Sequence, residues 1–442
     1  MSETTNSVKL TATQDRRIAW HKGGSLRYLA CTVTVPEPEE ATPSKGMNLA
    51  LVLDASGSMS GHPLMAAKQA ASLLIEQLGN SDVLSVVSFA SDVTTHLSQC
   101  VMNDTGKARA LDAVRELETR DMTNLAGGWF QGATEVTEAL DSHPGKVNHI
   151  LLLSDGHANQ GVLDPVELAL HARELHERGV GTSAVGIGEG YSMDQLHALS
   201  EAGGGRLHDA QHPHEIAEVV LAELGEVRRT VVEEVSVILE TATPLEAGVI
   251  ESYPLKKGSG EVTAMLGSMA GGTERTVIWM LELPAGEPEE EVPMVVRCQW
   301  KSVDAPETRE SRGVPIRYKL DRARVNNEQE RNIAISQLVA AHWHAQILKE
   351  AMTLNREGAY KQAIVYVSRQ RKHFARYCNG LPGTQRLLKE LEHFSYRVGR
   401  RFNERSRKEV QLWSRKSQRG EQDYRSTVRD SYSAYLEMED ED

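Results

Sequence analysis

Between residues 47 and 225 short, continuously apolar runs alternate with longer amphipathic stretches, and no other feature restricts the fold of this 442-residue chain as strongly. Residues 48–53 (NLALVL), 83–89 (VLSVVSF), 149–153 (HILLL) and 181–187 (GTSAVGI) have strand length and few polar positions on either face. Strands of that kind are buried on both sides, as in a mainly parallel sheet covered by helices. The intervening stretches have helical spacing. Pro63 stands where a first-turn residue needs no N–H, and Leu64, Ala67, Ala71, Leu74 and Leu78 follow three or four apart. Residues 104–117, 126–140, 165–178 and 193–202 repeat the pattern. This βα alternation predicts an α/β fold with a doubly wound, Rossmann-like domain over residues 47–225.

The flanking segments differ in character. Residues 226–320 hold strand-like runs such as VVEEVSVIL, RTVIWMLEL and VPMVVRCQW, separated by Gly, Pro and acidic turns, which predicts a small β-sandwich. Residues 1–46 end in the strand-like SLRYLACTVTV and are assigned to the same sandwich, so the α/β domain is either inserted in it or followed by it. Residues 321–430 are read as an α-helical basic region with helices over 328–354, 360–377 and 384–413, broken at Gly358 and at 379–383 (NGLPG). Residues 431–442 are an acidic tail. No stretch approaches the ~20 apolar residues of a membrane span. The start, MSETTNSVKL, lacks the charged and apolar pattern of a secretion signal. A cytoplasmic protein without membrane contact is expected. Cys31, Cys100, Cys298 and Cys378 show no metal-knuckle spacing and are expected to be buried free thiols.

The residues that carry chemistry follow the first strand, in Asp54-Ala55-Ser56-Gly57-Ser58-Met59-Ser60-Gly61. In an extended loop residues two apart project to the same side, so Asp54, Ser56 and Ser58 present a carboxylate and two hydroxyls toward one point. Open α/β sheets place ligands at the C-terminal edge of their strands. Two further segments end at that edge: Ser154-Asp155-Gly156 supplies a second carboxylate and Met122-Thr123-Asn124 another hydroxyl. Such a set of hard oxygen donors suits one Mg²⁺ or similar cation.

These residues resemble the von Willebrand factor A domain with its metal-ion-dependent adhesion site. The resemblance covers residues 47 to about 225 and rests on DASGSMSG, the stretch 82–89 (DVLSVVSF), MTNLAGG, ILLLSDG and AVGIGEG. It implies that Asp54, Ser56, Ser58, Thr123 and Asp155 hold Mg²⁺, with Mn²⁺ or Ca²⁺ as alternatives, directly or through water. Neutral hydroxyls leave the cation under-neutralised, so it takes an Asp or Glu carboxylate from a partner protein as a further ligand. Family members often have small glycines before the threonine; here Asp121-Met122 precede it and bring a further negative charge. The wider layout resembles bacterial proteins related to the inter-alpha-trypsin-inhibitor-like and calcium-activated chloride channel family, a label that implies no channel here. Proteins with this domain often work beside MoxR-type AAA+ ATPases. The resemblance therefore implies a protein–protein interaction module or adaptor and no enzyme.

Other signals are weaker. A phosphatase of the haloacid-dehalogenase type also puts an aspartate after a buried strand, but it uses DxD for proton transfer, and Ser56 stands at the second position. Gly186, Gly188 and Gly190 form a GxGxG run, yet Glu189 between them would repel phosphates. His208, His212 and His214 read as a polar loop, and His342 and His344 as surface or packing residues. The net charge of −13 opposes a whole-surface nucleic-acid binder. The charge is uneven, however: residues 321–442 hold 23 Lys and Arg against 17 Asp and Glu, concentrated at Arg400-Arg401, Arg405, Arg407-Lys408, Arg415-Lys416 and Arg419. A nucleic-acid-associated factor that uses these basic helices is the alternative reading.

Overall fold

The computed structural model describes residues 8–37, 46–156, 158–188, 190–210, 212, 214–251, 253–303, 305–402 and 410. The basic positions 405–419 and the acidic tail 431–442 lie outside these residues, as does Glu189. The chain divides into two compact units, Pro38–Val231 and a unit formed by Met1–Glu37 with Val232–Asp442. Strands β1 (Lys9–Gln14), β2 (Ile18–Trp20) and β3 (Lys22–Thr34) open the latter.

The Pro38–Val231 unit holds β4 (Met47–Asp54), α1 (His62–Gln77), β5 (Val83–Phe89), β6 (Val93–Val101), α2 (Asp104–Arg115), α3 (Leu125–Ser142), β7 (Val147–Ser154), α4 (Pro165–Glu177), β8 (Val180–Ile187), α5 (Met193–Ala202), β9 (Gly204–Ala210) and α6 (Glu215–Arg228). Its six-stranded sheet runs β6-β5-β4-β7-β8-β9. All pairs are parallel except β5 with β6. Every residue of β4 is buried, which is why its sequence is continuously apolar up to Asp54. Leu49, Leu51 and Leu53 share one core with Leu74 of α1, Ala110 of α2 and Val220 of α6. On the sheet's other side α3 approaches so closely that a Cβ on Gly128 would stand 2.4 Å from the Phe89 ring. Side-chain caps start three helices: Asn103 accepts from Gly106 N–H, Asn124 from Gly127 N–H and Asp164 from Val166 N–H.

The α/β expectation holds, and the sheet is wider than the four apolar runs predict. Both added strands are at the edges, where one side faces solvent. β6 (VTTHLSQCV) is mostly polar, with only Leu97 and Cys100 buried, and β9 (GGRLHDA) is half-buried up to the buried Ala210. His208 belongs to β9, where its Nε2 lies 2.6 Å from the buried Glu223 carboxylate, rather than to a loop.

The other unit continues with β10 (Thr230–Thr241), β11 (Glu246–Val249), β12 (Leu255–Lys257), β13 (Glu261–Ala270), β14 (Glu274–Ala285), β15 (Glu291–Ser302), β16 (Ala305–Glu310) and β17 (Val314–Asp321), then α7 (Ala323–Glu328), α8 (Ile333–Arg356), α9 (Tyr360–Cys378) and α10 (Gln385–Arg397). One sheet runs β1-β3-β14-β11. The second runs β12-β13-β10-β15-β17-β2, with β16 on β15. Strands from both ends of the sequence thus share sheets: β3 pairs with β14 and β2 with β17. Tyr318 of β17 reaches from one sheet to the other and donates to the Tyr28 carbonyl at 3.4 Å.

Helix α8 is covered on two sides. Val339 packs on Tyr28, Ala30, Ile250 and Ile278 of the sheet, while Ile347, Leu348 and Met352 join Phe374 of α9 and Phe394 of α10. This explains why His342 and His344, on different helix faces, are both buried. His342 pairs with Glu251 at 2.7 Å, and His344 lies beside Phe374. All four cysteines are free and buried. Among the described residues no helix is long and apolar enough to cross a membrane.

Candidate metal centre

Three loops meet at the C-terminal edge of β4 and β7, and backbone hydrogen bonds fix them to each other. Ala55 N–H donates to the Phe89 carbonyl at 2.8 Å, Arg120 N–H to Ala55 at 2.7 Å and Gly57 N–H to Asp121 at 2.9 Å. Asn159 holds Thr123 from both directions: its N–H donates to the Thr123 carbonyl at 3.1 Å and its Oδ1 accepts from Thr123 N–H at 3.0 Å. The loops are therefore positioned by the sheet rather than by their side chains alone.

Within this frame the five sequence-predicted residues come together. The Ser58 hydroxyl donates to Asp155 Oδ1 at 2.7 Å and lies 3.0 Å from the Ser56 hydroxyl. Gly156 measures the convergence: a Cβ built on it would lie 3.2 Å from Ser58 Oγ, 3.5 Å from Thr123 Oγ1 and 3.8 Å from Ser56 Oγ. Three hydroxyl oxygens thus lie within 4 Å of one point beside Gly156. Asp54 is oriented by two donors, Ser56 N–H on Oδ1 at 2.8 Å and the Ser154 hydroxyl on Oδ2 at 2.6 Å. Asp54, Ser56, Thr123 and Asp155 are buried, whereas Ser58 is exposed, so the centre opens to solvent on the Ser58 side.

Electrostatics at this point favour a cation. Burial pushes the Asp155 carboxyl up to about 6, against the Ser58 hydrogen bond and with the help of the Asp54 charge. Burial also raises Asp54, against the hydrogen bonds from Ser154 and Ser56. Two neighbouring acids withdrawn from water are a source of repulsion that a bound cation removes. The donor set is all oxygen, with two carboxylates and three hydroxyls. Among the described residues no group of three or more His, Cys, Asp or Glu side chains comes together to hold a metal. Hard oxygen donors fit Mg²⁺, Mn²⁺ or Ca²⁺ rather than the nitrogen- and sulfur-seeking metals. The residues present fit such an ion.

Ser154 and Asn159 belong to the centre and were not among the candidate ligands. Ser154 stands next to Asp155 in the sequence, but nothing in its spacing says that its side chain turns toward Asp54 across two strands. Asn159 lies in a loop without periodicity. Asp121 has an exposed side chain and contributes its backbone carbonyl, which anchors Gly57. Of the GxGxG glycines, Gly186 and Gly190 serve packing. A Cβ on Gly186 would meet the Tyr191 ring at 2.4 Å, and one on Gly190 the Asp155 carbonyl at 2.6 Å.

Residues 48–220 match the family model of the von Willebrand factor type A domain. The chain contains a von Willebrand factor type A domain. It is 31% identical over 132 residues to inter-alpha-trypsin inhibitor heavy chain H3 from Homo sapiens, a match covering 28% of this chain and 15% of that one. It is 32% identical over 171 residues to the uncharacterized protein sll0103 of Synechocystis, covering 38% of this chain and 39% of that one. The matches thus span well under half the length of these curated relatives. A solved von Willebrand factor type A protein from Catenulispora acidiphila superposes with a TM-score of 0.69 at 17% identity, over 94% of this chain and 98% of that one. That likeness concerns the fold alone. Von Willebrand factor A domains commonly bind a divalent metal and commonly mediate protein–protein interaction.

Proposed function

We propose that this protein is a metal-dependent protein-interaction module, and not an enzyme, in which a Mg²⁺-type ion held by Asp54, Ser56, Ser58, Thr123 and Asp155 captures a carboxylate of a partner protein. The observation that carries this reading is that three hydroxyls and two buried carboxylates lie together at the sheet edge, with Ser58 exposed to solvent. Two carboxylates and three hydroxyls supply five oxygen donors, one fewer than octahedral Mg²⁺ takes, so a position is left that a partner's Asp or Glu fills in place of water. The protein's own residues orient the donors through Ser154, Asn159 and the Asp121 carbonyl, so little rearrangement accompanies binding.

The class of partner proposed first is a MoxR-type AAA+ ATPase, with this chain as its adaptor in the cytoplasm of a bacterium. Affinity capture from native cells tests both steps. Wild-type protein with Mg²⁺ is expected to retain partner proteins that are absent with chelator and absent with the Asp54→Ala variant. Retention of the same proteins under all three conditions would overturn the reading.

A further inference from the structure

Residues 117–124 join α2 to α3 without helix or strand of their own, yet they bring Thr123 and the Asp121 carbonyl into the metal centre. A connection of that kind has no ladder of backbone hydrogen bonds and keeps its place through individual tethers. Toward the loop after β4 the tethers are backbone bonds: Arg120 N–H donates to the Ala55 carbonyl, and the Asp121 carbonyl accepts from Gly57 N–H. On the other side lies the β5–β6 hairpin. Asn124 N–H donates to its Ala90 carbonyl at 2.8 Å and Met122 N–H to its Ser91 hydroxyl at 3.1 Å. The remaining tether is the Arg120 side chain. Its Nη2 donates to Ser88 Oγ at 2.8 Å and its Nη1 to Thr94 Oγ1 at 2.8 Å, one hydroxyl from each strand of the hairpin. Ser88 is buried and its hydroxyl also lies 2.7 Å from His96 Nε2, so the group that receives from Arg120 is itself held. Asp92 adds an ion pair at 3.4 Å, but its side chain is 65% exposed, and a pair of that kind contributes little.

We propose that Arg120 is a positioning residue of the metal centre, which fixes the Thr123 connection on the β5–β6 hairpin and through it places the ligands. As a cation Arg120 cannot ligate the ion, so it acts through the loops. Its planar fork spans two hydroxyls on paired strands, which restrains orientation more than a single donor does. The backbone bonds pass that placement to Ala55 and Gly57, on either side of Ser56, while Thr123 follows three residues after Arg120 in the same connection. Groups that orient metal ligands without touching the metal commonly set much of its affinity. This deepens the function proposed above and rests on the metal centre holding a cation. Charge and position predict opposite signs. A positive charge near the centre disfavours a cation, so an Arg120 that acted through its charge would weaken Mg²⁺ binding, whereas one that acts through position strengthens it. The neighbouring acids Asp92 and Asp121 stay in place when Arg120 is replaced, so they do not alter that contrast.

The test titrates Mg²⁺ by calorimetry into the full chain as wild type, Arg120→Met, Thr94→Val and the double variant, with a melting curve in chelator for each. Arg120→Met keeps the length of the side chain and removes its donors and charge; Thr94→Val removes one acceptor and changes no charge. Arg120→Met is expected to bind Mg²⁺ on the order of tenfold more weakly. Thr94→Val is expected to lose affinity in the same direction but by less, because Ser88 still accepts from Arg120. The double variant is expected to be no weaker than Arg120→Met, because both substitutions cut the same contact. Equal or tighter Mg²⁺ binding by Arg120→Met would overturn the inference, and so would losses that add in the double variant. A lower melting temperature with unchanged affinity would reduce Arg120 to a stabilising contact and overturn it too. Thr94→Val alters an edge strand only and decides the question even where Arg120→Met does not fold: unchanged affinity there would overturn the inference. Absence of Mg²⁺ binding by wild type would be a different failure, that of the metal centre itself.

Discussion

Gly156 is the residue that most directly reports on the centre, because a Cβ there would lie within 4 Å of the Ser56, Ser58 and Thr123 hydroxyls. Its φ is not in the left-handed region, so alanine is tolerated by the backbone there. Gly156→Ala is therefore expected to leave folding intact and to weaken Mg²⁺ binding by at least roughly tenfold, about 1.4 kcal/mol. Calorimetry together with a melting curve in chelator separates the two effects, and unchanged affinity would mean that the ion does not lie beside Gly156. Thr123→Val keeps the branched shape and deletes the hydroxyl, and is expected to lower Mg²⁺ affinity by a similar factor in the same measurement. At this scale the kinds of residue in DxSxS were informative, so Asp54, Ser56 and Ser58 were legible, but the extended loop expected to align them is a 3₁₀ turn over Gly57–Met59 that follows an extended Ser56. Ser154 and Asn159 were not legible, since their roles depend on which strands and loops are neighbours.

Helix α3 shows how an element is held in place by what a residue lacks. Gly128→Ala would drive a Cβ against the Phe89 ring and force the helix off the sheet. Overpacking of this kind typically costs about 1–3 kcal/mol. Urea unfolding should register it as a lower midpoint, and an unchanged midpoint would show that the helix can shift freely. Helix α8 carries a different signature. Burial holds His344 down to about 3, from an ordinary 6.5, although the Glu390 carboxylate stands 3.7 Å from its Nε2. Below pH 6.5 the unfolded chain takes up a proton that the folded chain refuses, so stability is complete above that pH and is lost as pH falls toward 3. By pH 5 the loss is about 2 kcal/mol. His344→Leu is expected to reduce the drop in urea-unfolding stability between pH 7 and pH 5 by that amount; an identical drop in the variant would contradict the assignment. Elements buried on both sides, such as β4 and β7, were readable from their continuous apolarity. β6 and β9 were missed because an edge strand needs only one apolar face. His342 and His344 looked like surface or packing residues because the sequence does not say that α8 is enclosed between a sheet and two helices.

For the molecule as a whole, charge and layout point the same way. Residues 1–320 hold 26 Lys and Arg against 45 Asp and Glu, an acidic surface that draws cations and disfavours nucleic acid. The order of an α/β stretch, a strand-rich stretch and a helical stretch was legible from composition and periodicity. The pairing of β3 with β14 was readable only as an open choice, because partners such as Thr32 and Thr276, whose hydroxyls meet at 2.8 Å, are 244 residues apart. No local pattern encodes a contact across that distance. The central claim, that this domain holds one divalent cation through Asp54 and its neighbours, is tested most directly by titrating Mg²⁺ into wild type and Asp54→Ala in a calorimeter. Wild type is expected to bind a single ion and the variant none, with both folded by circular dichroism; equal affinity in a folded Asp54→Ala protein would contradict the account.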